Sequence, residues 1–247
     1  MTEPMRVAIS GADGLIGGVL RTRLSERFAP RWLTRDDADL ADLGAFEAVF
    51  ADAEAVVHLA ANAEVDASWD ELLPANVIGA YHAFEAAERA GVRRVVFASS
   101  NHAMGMYMWD DDRFTDADRP AQVTADLPVR PDSLYGTSKA WGEALGRFYA
   151  ERRGLEVVCL RIGAVTEDDE APDPVARFEP PRVARRVPGM WLSHRDCASL
   201  VEAALTADVG FAIVNGVSDN AGRWFSLDEG RRLLGWQPQD GARELPG

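Results

Sequence analysis

The sequence predicts an α/β fold with a doubly wound parallel sheet, and two observations indicate it. Six short runs rich in β-branched residues alternate with longer segments of helical periodicity, which is the pattern of βαβ units. A glycine-rich turn joins the first run to the first helical segment. At 247 residues and 47% hydrophobic composition, the chain can bury one large core, so we expect a single globular unit.

Six predicted strands and three predicted helices make up this fold. The strands cover residues 6–10, 31–35, 55–60, 94–100, 155–162 and 210–216. The helices cover 15–28, 75–91 and 133–154, and the last two end on a glycine, as helices commonly do. The stretches 104–132 and 166–190 are either binding loops or disordered linkers. Because both follow the carboxyl end of a predicted strand, where open α/β sheets bind ligands, we favour binding loops.

Composition excludes several classes of partner. The net charge of −14 argues against broad attraction to nucleic acid or to an anionic membrane. The sequence has no apolar stretch of 18 residues and no signal-like start, so we expect a soluble, cytoplasmic protein. Cys159 and Cys197 match no metal-binding spacing, and no metal site is expected. The acidic, lysine-poor composition fits either a salt-adapted cytoplasm or an arginine-favouring genome.

The segment ISGADGLIGGVL places Gly11, Gly14 and Gly17 between the first strand and the first helix. Such glycines let the turn close against a pyrophosphate, and the helix N-terminus favours anionic oxygens. A tight turn without a ligand is the alternative. The context predicts a Rossmann-like dinucleotide-binding domain over residues 1–165, followed by a small C-terminal substrate-binding portion over 166–247 that returns a strand to the sheet.

The choice between NAD and NADP depends on the residues after the second strand. The segment WLTRDDADLAD offers Arg35, then Asp36 and Asp39. An acid would bind the ribose hydroxyls of NAD, whereas an arginine could accept the 2′-phosphate of NADP. We expect NAD as the cofactor, with NADP not excluded.

Tyr135 and Lys139 are four residues apart on a predicted helix, which puts them on one face. Lys139 is the only lysine among 26 basic residues. An enzyme that oxidises an alcohol by hydride transfer needs a base, and a tyrosine with a pKa near ~10 must be shifted to act at neutral pH. An ammonium at ~4 Å could supply that shift, and a lysine is a more compact donor than an arginine. A surface Tyr–Lys pair is the alternative.

A polar cluster, Ser99 to His102, follows the apolar strand at 94–100. We expect Ser100 to bind the reacting oxygen of a substrate, and Asn101 and His102 to contact that substrate. A polar turn without function is the simpler interpretation of this cluster.

The motifs GADGLIG, HLAA, FASSNH and YGTSK together resemble the extended short-chain dehydrogenase/reductase superfamily over nearly the whole chain. The segments RPDSLYGTSK, LRIG, MWLSHRDC and LGWQPQD are similar to its uronate dehydrogenase branch. Within that branch the chain looks most like the NAD-dependent glucose-6-phosphate dehydrogenases of halophilic archaea.

The resemblance implies roles for individual residues. Tyr135 would be the general base, Lys139 would bind the ribose and tune the tyrosine, and Ser100 would orient the hydroxyl. Asn76 would take part in a proton relay, and Arg186, five residues before Trp191, would bind the anionic group of the substrate. Predicted dinucleotide contacts are Gly11, Gly14, Leu15, Ile16, Gly17, Arg35, Asp36, Asp39, Leu40, Leu59, Ala60, Ala61, Tyr135, Lys139 and Ile162.

Together these expectations describe oxidation of a small anionic sugar at C1 to its lactone. Glucose 6-phosphate is the first candidate substrate, and a uronate, glucuronate or galacturonate, is the second. A sugar epimerase or dehydratase is a further interpretation, and so is a non-catalytic dinucleotide sensor built on the same fold. The superfamily also suggests a homodimer formed through the helices at 75–91 and 133–154.

Overall fold

The computed structural model describes residues 3–109, 122–173 and 186–242. Its sheet has six parallel strands in the order β2-β1-β3-β4-β5-β6. The strands are β1 Met5–Ser10, β2 Phe28–Leu33, β3 Ala55–His58, β4 Arg94–Ser100, β5 Glu156–Ile162 and β6 Phe211–Gly216. The doubly wound parallel sheet expected from the sequence is therefore confirmed, and β6, from the C-terminal portion, pairs with β5.

Helices cover both faces of the sheet. They are α1 Leu15–Arg23, α2 Leu43–Phe50, α3 Trp69–Leu72, α4 Gly79–Arg89, α5 Met106–Trp109, α6 Leu134–Arg153, α7 His194–Thr206 and α8 Asp228–Leu234. A π-helical turn, Leu73–Ile78, joins α3 to α4, and 3₁₀ turns cover Asn101–Met104 and Pro188–Met190. Gly91 and Gly154 follow α4 and α6 with φ of 71° and 79°, so both predicted helix ends are confirmed.

Two apolar layers hold the sheet. Successive strand residues alternate between them, so Val7 and Ile9 of β1 face one layer and Ala8 faces the other. The first layer includes side chains of α1 and α7, and the second includes side chains of α2, α4 and α6. All residues of β3 and β4 are buried, as expected for central parallel strands.

Two predicted boundaries were wrong. The second strand covers 28–33 rather than 31–35, because Pro30 is tolerated within a strand that lies at the edge of the sheet. The first helix ends at Arg23 rather than at 28, since Leu24 is already extended and the chain turns into β2. The predicted loop stretches fall partly at 110–121 and 174–185, outside the described residues.

The π-helical turn has a local cause. Pro74 lies at its start and has no N–H to donate, so the ordinary helical ladder is interrupted there. The N–H of Gly79 instead donates to the carbonyl oxygen of Pro74, five residues back. Within the described ranges, no helix is both long and apolar enough to cross a lipid bilayer.

Candidate active site

The glycine turn lies where β1 and β3 end side by side. Gly11 has φ of 75°, and a Cβ there would lie 2.6 Å from the backbone nitrogen of Ala60. Only glycine fits this contact, which lets the turn pass directly over the end of β3. The predicted residues Leu59, Ala60 and Ala61 are all partly buried beside it.

The N-terminus of α1 is suited to an anionic group. Gly14 is its N-cap, no side chain caps the helix, and its first turn contains no acidic residue. The first N–H groups of a helix have no partner within it, and the helix dipole adds positive potential there. The backbone of this turn therefore suits an anionic group such as a pyrophosphate. The dinucleotide contacts of Gly11, Gly14, Leu15, Ile16 and Gly17 stay predictions.

The residues after β2 are exposed and connect to the glycine turn. The guanidinium of Arg35 lies 3.8 Å from the carboxylate of Asp13, and its side chain is 92% exposed. Asp36 and Asp39 are exposed along the same segment, and Leu40 is partly buried. Asp37, which the sequence did not single out, accepts hydrogen bonds from the backbone N–H and hydroxyl of Thr34 at 2.7 and 2.8 Å. These bonds hold the pKa of Asp37 below its usual value.

Ser100, Asn101 and His102 leave β4 through a 3₁₀ turn. Ser100 is buried, its hydroxyl donates to Oδ1 of Asn101 at 3.2 Å, and it accepts from the N–H of His102 at 3.2 Å. The amide of Asn101 donates to the sulfur of Met190 at 3.0 Å. These contacts orient the three predicted substrate residues at the carboxyl end of the central strand.

Helix α6 brings Tyr135 and Lys139 to the same place. Ser133 caps the helix by accepting from the N–H of Gly136, and Tyr135 and Lys139 are 9% and 5% exposed. Nζ of Lys139 donates to the carbonyl oxygen of Ala98 at 2.8 Å and lies 5.6 Å from the centre of the Tyr135 ring. The structure therefore brings Ser100, Tyr135 and Lys139 together.

The electrostatics of this group differ from the expectation. Burial raises the pKa of Tyr135, and its hydrogen bond with Ser100 lowers it by less. Burial lowers the pKa of Lys139 to about 8. The predicted lowering of the tyrosine pKa by the lysine is not observed, because the ammonium is directed at the Ala98 carbonyl and the phenol is desolvated.

His58, the first residue of the motif HLAA, is a buried residue of the site for which no role was predicted. Its Nδ1 lies 2.8 Å from the hydroxyl of Ser10, which joins the ends of β3 and β1. Burial, together with the positive charge of Lys139, lowers the pKa of His58 to about 3. The signals in the sequence were its place in that motif and its position as a polar residue at the end of an apolar strand, AVVH.

Asn76 connects the π-helical turn to α6. Its Oδ1 accepts from the N–H of Asn62 at 2.7 Å, and its amide nitrogen donates to the Asn62 carbonyl at 2.9 Å and the Ser138 hydroxyl at 3.1 Å. The side chain therefore fixes the chain after β3 against the helix that carries Tyr135. Its predicted role in a proton relay stays a prediction.

A buried ion pair connects the elements that carry the site residues. The carboxylate of Glu143, on α6, accepts two hydrogen bonds of 2.8 Å from the guanidinium of Arg161 on β5. It also accepts from the hydroxyl of Ser99 at 2.6 Å. Ile162, a predicted dinucleotide contact, is buried directly after Arg161. The pair ties α6 to the two strands that end at the site.

Arg186 lies in the chain before α7 and contacts the segment after β4. Its Nη1 donates to the carbonyl oxygens of Tyr107 and Met108, at 3.0 Å each. Arg182 and Arg185, its neighbours in the sequence cluster, lie outside the described residues. Among the described residues, no group of three His, Cys, Asp or Glu side chains could hold a metal ion.

The chain is similar to known proteins along nearly its whole length. It is 36% identical over 266 residues to the NAD-dependent glucose-6-phosphate dehydrogenase of Haloferax volcanii, covering 99% of this chain and 96% of that one. It is 39% identical over 252 residues to the L-arabinose 1-dehydrogenase (NAD(P)(+)) of the same organism, covering 95% and 96%.

The chain is also similar to a solved structure. The fold is similar to that of a mutant uronate dehydrogenase from Agrobacterium tumefaciens complexed with NAD, with a TM-score of 0.77 and 31% identity. The match covers 97% of this chain and 86% of that one. The model of the NAD dependent epimerase/dehydratase family matches residues 7–178. The chain therefore belongs to the NAD dependent epimerase/dehydratase family.

Proposed function

We propose that this chain is an NAD-dependent dehydrogenase that oxidises an anionic sugar at C1 to its lactone, with glucose 6-phosphate as the first candidate substrate. The observation that carries this proposal is the convergence of Ser100, Tyr135 and Lys139 at the carboxyl end of β4. These residues place a buried phenol, a hydroxyl and an ammonium at the carboxyl end of a central strand. Together such groups can bind a sugar hydroxyl and accept its proton.

The chemistry divides between the chain and its cofactor. NAD, when bound, would supply the acceptor for the hydride that leaves C1. Tyr135 takes the proton of the anomeric hydroxyl, and Ser100 hydrogen-bonds the oxygen that loses it. The two losses leave a C1–O double bond, which makes the product a lactone. Burial disfavours the ionised form of Tyr135, so a positive charge close to the phenol is required for it to act as a base at neutral pH.

The relatives support the type of reaction, but they do not identify one sugar as the substrate. Their names share dehydrogenation of a sugar, and they differ in substrate: glucose 6-phosphate, L-arabinose and uronates. The first and third substrates carry an anionic group and the second does not. Arg186 is the proposed anchor for that group, because a guanidinium binds phosphate or carboxylate through two hydrogen bonds.

The direct test follows absorbance at 340 nm with purified protein in low and high salt. Glucose 6-phosphate, glucuronate, galacturonate and L-arabinose are each combined with NAD and with NADP. We expect reduction of NAD with an anionic sugar and at least about a hundredfold loss in Tyr135→Phe. Absence of reduction in every combination would contradict the enzymatic proposal and favour a dinucleotide sensor.

The anchor is tested separately with Arg186→Ala. We expect the KM for the anionic sugar to rise by about tenfold or more, since a charged hydrogen-bond pair is lost. The KM for L-arabinose, if it is turned over, should change little. Arg147→Ala is the matched control, because Arg147 is exposed on α6 and pairs only with Glu151 among the ion pairs described. An equal effect on both sugars would place Arg186 outside the anchor.

A further inference from the structure

His102 forms a close pair with Asp132, a residue of the segment RPDSLYGTSK for which no role was predicted. Nδ1 of His102 lies 3.0 and 2.9 Å from the two carboxylate oxygens of Asp132. The Asp132 side chain is 8% exposed and that of His102 is 27% exposed. A mostly buried carboxylate is therefore aimed at one ring nitrogen of a residue that borders Ser100 and Tyr135.

Several further contacts hold the carboxylate in this place. The N–H of Asp132 donates to the carbonyl oxygen of His102 at 3.3 Å, so the two residues are also joined through the backbone. A Cβ on Gly105 would lie 1.9 Å from Oδ2 of Asp132, so only glycine there leaves room for the carboxylate. The hydroxyl of Ser133 adds a hydrogen bond of 3.0 Å to Oδ1.

The pair determines which ring nitrogen of His102 is available. An ionised carboxylate can only accept, so Nδ1 must carry the proton in this contact. Nε2, on the other side of a neutral ring, is then left with its lone pair. The ring meets that of Tyr135 edge to face, with 5.7 Å between the ring centres. The ring that carries this acceptor is thus next to the proposed base.

We propose that Asp132 is a positioning residue: it holds His102 in the Nδ1–H tautomer, so that Nε2 accepts a hydrogen bond from a non-reacting hydroxyl of the sugar. The role in sugar binding rests on the proposed function, whereas the tautomer does not. Asp132 itself contacts no reacting atom in this assignment.

The tautomer is measured without substrate. The chain has four histidines, so a ¹⁵N–¹H spectrum of ¹⁵N-histidine-labelled protein has four imidazoles, and His102→Ala identifies the relevant one. We expect Nδ1–H in the wild type and a shift to Nε2–H, the form free histidine prefers, in Asp132→Ala. An Nε2–H tautomer of His102 in the wild-type protein would overturn the proposal, whether or not the Asp132 variants fold.

The kinetic test separates positioning from packing. For the sugar with the highest kcat/KM in the substrate screen, Asp132→Ala should raise KM by about tenfold and leave kcat within about twofold. The reason is that a hydrogen bond to a non-reacting hydroxyl is lost equally from substrate and transition state. Asp132→Asn keeps an acceptor for Nδ1–H, and we expect it to retain the tautomer and most of the affinity.

A double-mutant cycle gives the decisive outcome. If Asp132 acts through His102, Asp132→Ala should have no further effect on KM once His102 is alanine. An undiminished effect in the His102→Ala background would show that the carboxylate acts otherwise and would overturn the proposal. If the wild type turned over no sugar, the proposed function would fail while the tautomer experiment still tested the pair.

Discussion

The ammonium of Lys139 donates to the carbonyl oxygen of Ala98 over 2.8 Å, which fixes the one lysine of the chain between β4 and the ring of Tyr135. Because this position is almost fully buried, it accepts a narrow side chain with a single charged end. The wide guanidinium of arginine could not occupy it without displacing its neighbours.

Lys139→Arg should therefore lower kcat/KM by about one hundredfold, although charge is conserved. The matched control is Arg147→Lys on the exposed face of the same helix, which should leave kcat/KM unchanged. Steady-state kinetics and thermal unfolding of both variants check the prediction. Full activity in Lys139→Arg would mean that any cation suffices at this position.

His58 should make the protein sensitive to acid. Its folded-state pKa of about 3 lies below the unfolded value near ~6.5, so between these values only the unfolded chain binds the proton. The stability that the neutral ring contributes is fully present above pH ~6.5 and is lost as the pH falls toward 3. At pH 5 the loss in the free energy of unfolding is about 2 kcal/mol.

Urea unfolding at pH 7 and pH 5 measures this effect in wild type and in His58→Gln. We expect the fall in the free energy of unfolding between the two pH values to be about 2 kcal/mol smaller in the variant. An identical fall in both proteins would show that other groups cause the acid sensitivity.

Glu143→Gln should be strongly destabilising, because it leaves the buried guanidinium of Arg161 without its counter-charge. Breaking a buried pair in this way costs about 3 to 5 kcal/mol. Glu151→Gln breaks an exposed pair on the same helix and should cost less than about 0.5 kcal/mol. Urea unfolding of the two variants compares the pairs, and similar losses would refute the assignment of Glu143 as a structural support.

The predicted homodimer would use a face of α6. Leu134, Trp141 and Phe148 are spaced seven residues apart and are 38 to 48% exposed, which puts three large apolar side chains on one stripe. Tyr81 of α4 is exposed as well. Sedimentation velocity should give a dimer for the wild type and a monomer for Trp141→Glu, with Trp69→Glu as a control on another helix. A monomeric wild type would rule the dimer out.

The elements of the fold that depend only on neighbouring residues in the sequence were predicted well. Strands β3 to β6 and the ends of α4 and α6 follow from apolar runs and glycines that act within a few residues. Strand β2 was misplaced because Pro30 is excluded from most strands, and only its edge position, a property of the whole sheet, makes it acceptable.

The site was predicted less completely. Ser100, Tyr135 and Lys139 were found because a motif on one helix and a polar strand end carry the signal. Asp132 and Glu143 were missed, since each acts on a residue 30 and 18 positions away, respectively. The upward shift in the pKa of Tyr135 depends on burial, which spacing alone does not give.

One buried lysine has a practical consequence for labelling. Reagents that modify lysine side chains can react at only one position of this chain, and in the folded protein that position is shielded within the proposed active site. The rate at which the side-chain amine is modified therefore measures how often that site opens to solvent. Followed by mass spectrometry, it would report how often α6 separates from β4, with no engineered probe.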